Sequence, residues 1–170
     1  DVIVGVNKYK LAEEAPLESR EVDNHAVREN QIARLQALRA KRDAAKVQAA
    51  LSGLPLTLKT GRSTTGLVAI LDGAFPGRTV LLRGDMDALP IAEANDFAHR
   101  SQHAGVMHAC GHDGHTAMLL AAARHLAEQG AFDGTLHLIF QPAEEGGGGA
   151  LRMMADGLFE KHPCDAVFAM

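Results

Sequence analysis

Residues 114–140 read GHTAMLLAAARHLAEQGAFDGTLHLIF, and their apolar pattern is the main evidence for the fold class. Its apolar residues recur at helical spacing between Met118 and Leu126, which predicts a helix from about Gly114 to Gln129 that stops at Gly130. The continuous apolar run at residues 135–140 predicts a buried strand. A helix that leads directly into a buried strand is typical of α/β proteins.

Short apolar runs on either side of this stretch extend the pattern. Gly and Pro bound the runs at residues 56–59, 66–71 and 79–83, which predict strands, and residues 72–77 are expected to form a hairpin. A short helix at residues 150–155 and a last strand at 166–170 follow. Strands that alternate with helices predict an α/β fold with a partial, mostly parallel sheet and helices packed on it.

The front of the chain differs from the rest in composition, since Lys and Arg concentrate before residue 52 and histidines after residue 98. Residues 2–6 predict a short strand. Two helices are expected next, so that a helical N-terminal segment precedes the sheet. The residues that carry this expectation are the caps Asp23 or Asn24 and Asp43, the apolar face Val27, Ile32, Leu35, Leu38, Val47 and Leu51, and the stop signal Gly53.

Composition excludes several classes of protein. A net charge of −4 and an aromatic content of 4% without Trp argue against nucleic-acid binding. No apolar run reaches the roughly 20 residues that cross a bilayer, so no membrane association is expected. Cys110 and Cys164 are too few for a disulfide scaffold, which favours a reducing compartment and a cytoplasmic protein.

The first cluster of chemically capable residues is RGDMDALP at residues 83–90. Asp85 and Asp87 occupy alternate positions after an apolar strand, so both carboxylates can point the same way at its end. Taken alone, such a pair is more often a loop cap than part of an active site.

The second cluster is HACGHDGH at residues 108–115. Cys110 and His112 suit a borderline-soft ion such as zinc, and His115 lies close by. Asp113 is expected to orient an imidazole, as metal-bound histidines usually require. A lone histidine is usually structural, but three His and one Cys within so short a segment favour metal binding.

The third cluster, QPAEEGGGGA at residues 141–150, follows a buried strand. Adjacent carboxylates repel unless a positive charge holds one of them, so Glu144 and Glu145 suit a general base beside a metal ligand. The alternative is a pair of solvated glutamates before a flexible loop.

Three stretches, LLRGDMDALPI, GVMHACGHDGHTAMLL and FQPAEEGGGGA, resemble in order and spacing the dinuclear-metal N-acyl amino acid amidohydrolases, which include aminoacylases, hippurate hydrolases and indole-acetyl amino acid hydrolases. The resemblance covers residues 52–170. It implies that Cys110 bridges two divalent ions, zinc or manganese, that His112 and Glu145 each ligate one, and that Glu144 activates water. Asp85, Asp87, Asp113 and His115 would support them. The family's further His ligands and lid domain are not expected within this chain.

Residues 1–51 instead resemble a segment of the methylmalonyl-CoA mutase large subunit. No cobalamin-binding signature occurs, so no cobalamin is expected. The chain is therefore interpreted as a chimera of two parts, a mutase-like segment at residues 1–51 packed on a truncated amidohydrolase metal-binding domain at residues 52–170, joined near Leu51 to Gly53.

The leading hypothesis is a metal-dependent hydrolase of small-molecule N-acyl amino acids with Glu144 as general base. The alternatives are a catalytically silent chimera, a metal-binding module, and a recombined hydrolase that acts on a phosphate ester or lactam. A homodimer is expected because Ala166–Met170 would form an apolar edge strand. In such a dimer, His99, His103 or His162 of a partner could supply ligands.

Overall fold

The computed structural model describes residues 40–61 and 64–170, and these belong to one compact unit, Arg39–Met170. The elements in chain order are helix α1 (residues 40–51), strands β1 (Thr57–Thr60), β2 (Leu67–Asp72) and β3 (Phe75–Asp85), helix α2 (His112–Gln129), strand β4 (Asp133–Gln141), helices α3 (Gly149–Ala155) and α4 (Leu158–Lys161), and strand β5 (Ala166–Ala169). The strand expected at residues 2–6, the first expected helix, and Leu35 and Leu38 lie outside the described residues.

The five strands form one sheet in the order β1-β2-β4-β3-β5. Strand β3 pairs in parallel with both of its neighbours, β4 and β5, whereas β1 with β2 and β2 with β4 are antiparallel. The predicted α/β class with helices packed on the sheet is confirmed. The sheet is mixed, and its parallel part is the part connected through helices, because a helical crossover returns the chain in the same direction.

The hairpin expected at residues 72–77 is wrong, because β4 lies between β2 and β3. The connection pairs instead with the chain that enters β4. The backbone N–H of Gly73 donates to the carbonyl of Gly134 at 2.8 Å, and that of Ala74 donates to the carbonyl of Phe132 at 2.8 Å. Local turn signals carry no information about a partner some 60 residues away in sequence.

The sheet has a buried layer on each face, and the alternation along β2 shows it. Leu67 and Ala69 belong to one cluster with residues of α1 and α2, whereas Val68 belongs to a second cluster with Met153 of α3. This alternation is the period of two expected for a strand covered on both faces.

Helix α1 packs its apolar side into the first of these clusters. Val47 and Leu51 are both buried, as the sequence predicted, and Gly53 beyond the helix has a positive φ of 82°. Asp43 is not the cap that the sequence predicted, because residues 40–43 are already helical. Burial raises the pKa of Asp43 above its ordinary value.

Helix α2 begins two residues earlier than expected, directly after Gly111, whose φ of 102° favours glycine. The predicted stop is confirmed, since the N–H of Gly130 donates to the carbonyl of Leu126 at 2.9 Å with Gly130 in the left-handed region. None of the described helices is long and apolar enough to cross a membrane.

Strand β5 lies at an edge of the sheet beside β3, and Val167 and Phe168 on it are exposed. That exposure agrees with the apolar edge expected from the sequence. The homodimer itself stays a prediction.

Candidate metal centre

The parallel strands bring the three sequence clusters to one edge of the sheet. Asp85 at the end of β3 is in register with Gln141 at the end of β4, so the residues after each strand emerge side by side. The N–H of Met86 donates to the carbonyl of Gln141 at 2.9 Å. Leu89 and Met107 exchange two backbone hydrogen bonds, of 2.9 and 3.1 Å, which tie the first cluster to the loop that leads into α2.

Cys110, His112 and Glu145 offer ligand atoms that all lie within 4.8 Å of one another. They come from the second and third sequence clusters and are the three residues expected to hold metal. The His112 side chain is 3% exposed, whereas Cys110 is exposed and Glu145 is half-buried. A thiolate, an imidazole and a carboxylate form a donor set that suits zinc and related divalent ions.

Asp87 fixes the orientation of this triad. Its carbonyl oxygen lies 2.9 Å from Nδ1 of His112, so that Nδ1 donates and Nε2 is left as the ligand atom. Its carboxylate accepts the backbone N–H groups of Glu144, at 3.0 Å, and Glu145, at 3.1 Å. The donor atoms therefore suit a divalent ion, and hydrogen bonds to Asp87 hold two of the residues that carry them.

The Cys110 thiol responds to this acidic environment. It donates a hydrogen bond to the carboxylate of Glu145, and this bond, together with burial and nearby negative charge, raises the pKa of Cys110 above its ordinary value. Because metals bind the thiolate, an ion must displace that proton when it binds.

Glu144 stands beside the triad and belongs to a second group of donor atoms. Its Oε2 lies 3.8 Å from Nε2 of His112, and the atoms offered by Asp85, His112 and Glu144 also lie within 4.8 Å of one another. Ala143, just before Glu144, is the one non-glycine residue with a positive φ, 56°, in the described part of the chain. Strain of this kind clusters at functional sites.

Asp85 is already engaged by protein groups. It is 3% exposed; its Oδ1 accepts from Nδ1 of His115 at 2.7 Å, and its Oδ2 lies 2.8 Å from Nη1 of Arg83 and 3.5 Å from Nε2 of His112. Arg83 was not among the site residues predicted from the sequence. The signal was available, since residues 83 and 85 alternate on a strand and so face the same side.

Asp113 does not orient an imidazole. It is exposed, and none of the described histidines lies within 4 Å of its carboxylate. A residue directly after a buried helical residue points away from it, because successive helical side chains are about 100° apart. Asp85 and the carbonyl of Asp87 take the role expected of Asp113.

A cavity of about 450 Å³ is lined in part by Ala88, His108 and Asp113, which are close in sequence to residues of the centre. On its wall, the rings of Phe97 and His99 stack with centroids 4.2 Å apart and planes inclined by 21°. The remaining wall residues are side chains of α1 and of the loop before α2, among them Arg42, Lys46, Arg100, Val106 and Met107.

The cysteine, histidine and glutamate triad lies between the start of α2 and the loop that follows β4. The profile of the Peptidase family M20/M25/M40 matches residues 81–170, slightly more than half of the chain. The chain belongs to this family.

Known proteins show the same relationship. Over 104 residues the chain is 54% identical to the hippurate hydrolase of Campylobacter jejuni, covering 61% of this chain and 27% of that one. The Bacillus subtilis YXEP protein, described as a dinuclear metal binding peptidase of the M20 family, superposes with a TM-score of 0.69 at 35% identity, covering 75% of this chain and 35% of that one. The aminobenzoyl-glutamate utilization protein of Klebsiella pneumoniae superposes with a TM-score of 0.58 at 27% identity, covering 89% and 45%. The chain thus spans about a quarter of the length of the curated relative.

The profile of methylmalonyl-CoA mutase matches residues 1–77, so the two profiles cover consecutive parts of the chain and the chimera-like arrangement is confirmed. The mutase match extends beyond the junction predicted near Leu51. It includes β1 and β2, yet β2 pairs along its length with β4 of the M20 part. The location of the junction, and the division at residue 51, remain predictions.

Proposed function

We propose that this chain carries the metal-binding part of a hydrolase that cleaves the amide bond of N-acyl amino acids. The observation that carries the proposal is the convergence of Cys110, His112 and Glu145 within 4.8 Å, with a second glutamate, Glu144, directly beside them. The M20 family membership and the hippurate hydrolase relative support the same reaction class.

Cys110, His112 and Glu145 would hold zinc or manganese. A bound divalent ion supplies a Lewis acid that acidifies water and polarises a carbonyl. Glu144 takes the proton from the attacking water and returns it to the leaving amine, since its carboxylate is half-exposed and 3.8 Å from His112. Asp87 holds both glutamates through their backbone N–H groups and His112 through its own carbonyl.

The cavity lined by Phe97 and His99 would accept an aromatic acyl group. The stacked rings of Phe97 and His99 provide a flat wall, against which a planar ring packs well. The names of two relatives each contain an aroyl amide: hippurate in one and aminobenzoyl-glutamate in the other. Benzoyl-amino acids are therefore the substrates to try first.

The test uses the metal-stripped chain reloaded with zinc or with manganese. Bound metal is measured by mass spectrometry, and hydrolysis of hippurate is followed by glycine release with and without chelator. Stoichiometric metal and chelator-sensitive hydrolysis are expected. Metal without hydrolysis of amides, phosphate esters or lactams would indicate a binding module, and absence of both would indicate a silent chimera.

The two cysteines provide a matched control. Cys110 lies in the triad, whereas Cys164 packs against the buried cluster that contains Met153, on the other face of the sheet. Cys110→Ala should therefore lose metal, while Cys164→Ala should keep it. Equal metal content in the two variants would contradict the proposed ligand set.

A further inference from the structure

The site contains two overlapping groups of donor atoms that share His112. One is Cys110, His112 and Glu145, and the other is Asp85, His112 and Glu144. An ion in the second group would bind Glu144 and so remove the carboxylate that the proposed function needs as a base. The protein therefore needs a reason for a cation to prefer the first group.

Arg83 provides that reason through its contact with Asp85. Nη1 of Arg83 lies 2.8 Å from Oδ2 of Asp85, the same oxygen that lies 3.5 Å from Nε2 of His112. A carboxylate oxygen that already accepts from a guanidinium has less electron density to offer a metal, and two positive groups on one oxygen repel. The other oxygen, Oδ1, is occupied by Nδ1 of His115 at 2.7 Å.

The guanidinium is held so that it cannot easily turn away. Its Nε donates to Oε1 of Gln141 at 2.7 Å, and its Nη1 also donates to the carbonyl of Met170 at 2.9 Å. Gln141 is itself 4% exposed. Arg83 thus links the carboxyl ends of the three parallel strands β3, β4 and β5. These contacts hold the guanidinium against the carboxylate of Asp85.

We propose that Arg83 is a positioning residue that excludes divalent ions from the group of Asp85, His112 and Glu144, and so directs metal to Cys110 and Glu145. Asp85 is then an anchor for His115 and Arg83 rather than a metal ligand. This inference rests on the proposed function, because it assumes that the first group binds metal.

The test compares zinc binding by wild type, Arg83→Met and Arg83→Met with Asp85→Asn, using equilibrium dialysis and metal analysis. Arg83→Met should still bind one equivalent of zinc per chain, because Nε2 of His112 can bind only one ion at a time, but part of that zinc should move to Asp85 and Glu144. The double variant should return it to Cys110 and Glu145. The thiolate-to-metal absorption of the cobalt-loaded chain should therefore weaken in the single variant and recover in the double variant. Arg83→Lys, which keeps the charge, should resemble wild type.

Arg78→Met is the matched control, because Arg78 lies on the same strand but is exposed. It should change neither stoichiometry nor spectrum. If Arg83→Met folds and binds the same amount of zinc with the same cobalt spectrum as wild type, the inference is wrong while the proposed function stands. If wild type binds no zinc, the proposed function and this inference fail together.

A second measurement does not depend on how the variants fold. In wild-type crystals grown with zinc, the anomalous-scattering peak should lie beside Cys110 and Glu145. A peak between Asp85 and Glu144 would overturn the inference directly.

Discussion

The carbonyl oxygen of Asp87 lies 2.9 Å from Nδ1 of His112, so a main-chain group of one cluster sets the ring orientation of the residue that leads α2. The carboxylate of the same aspartate accepts the N–H groups of Glu144 and Glu145. One residue thus contacts candidate site residues that are far apart in sequence.

Replacing Asp87 tests this role. Asp87→Ala removes the acceptor for both glutamate N–H groups, so we expect metal affinity to fall by about 10- to 100-fold, the usual effect of removing a group that orients ligands. Competition with a chromophoric chelator measures the affinity. Asp96→Ala, which removes an exposed carboxylate paired with Arg100, is the control and should leave affinity unchanged.

Replacing each of the two adjacent glutamates should have a different effect, one on turnover and the other on metal content. Glu144→Gln should keep its metal and lower turnover by roughly 10²- to 10⁴-fold, the range for a positioned acid or base. Glu145→Gln should release metal. Unchanged turnover in Glu144→Gln would show that this residue is not the general base. Glu160→Gln, at an exposed position, is the control and should change neither turnover nor metal content.

The aromatic wall of the cavity predicts a preference between substrates. Phe97→Ala should lower kcat/KM for benzoyl-glycine relative to acetyl-glycine by roughly 2- to 12-fold, the equivalent of one aromatic contact. Phe75→Ala is matched to it, because Phe75 is exposed at the start of β3. A ratio that is the same in both variants would show that the ring binds elsewhere.

Helix α1 should contribute directly to the stability of the M20 part. Leu51 is 2% exposed in the cluster that contains Leu119 and Phe140, so Leu51→Ala should lower the free energy of unfolding by about 2–5 kcal/mol. Urea denaturation measures the change. Lys46→Ala on the exposed side of the same helix should change it by less than about 0.5 kcal/mol.

Stability should fall in mild acid because of two histidines on the other face of the sheet. The rings of His137 and His162 meet edge to face with centroids 5.4 Å apart, and burial lowers the pKa of each below its ordinary value. The pKa of His162 is lowered further by positive charge on His137, Lys161 and Lys59, while Asp72 partly opposes the effect at His137.

Histidines whose pKa is lowered by folding make the folded state less stable in mild acid. Below about pH 6.5 the two histidines are protonated in the unfolded chain but still neutral in the folded chain. The free energy of unfolding therefore decreases as the pH falls, until the pH drops below the lowered pKa of the folded state. His137→Leu should flatten this dependence between pH 5 and 8 in urea titrations. His125→Leu, at an exposed position of α2, should not; a slope unaltered by His137→Leu would contradict the assignment.

Much of the candidate site could be predicted from local sequence. The sequence predicted a metal centre at Cys110, His112, Glu144 and Glu145 because their residue types suit metal chemistry and because each cluster follows an apolar strand or opens a helix. The structure brings these side chains together. Arg83 was missed although its alternation with Asp85 on one strand was visible in the sequence. The contact between Asp85 and His115 joins residues 30 apart in sequence and has no counterpart in any short window.

Local sequence was enough to predict the elements and the candidate chemistry. Apolar periodicity placed α2, β4 and the neighbouring strands within a few residues, since the spacing of buried side chains is a local property of helix and strand. The insertion of β4 between β2 and β3, which replaced the expected hairpin by a mixed sheet, came from the tertiary fold. Strand pairing is a choice among distant partners and is settled by burial on both faces of the sheet. The same pairing decided the site, because Asp85 and Gln141 became neighbours only when β3 and β4 lay side by side.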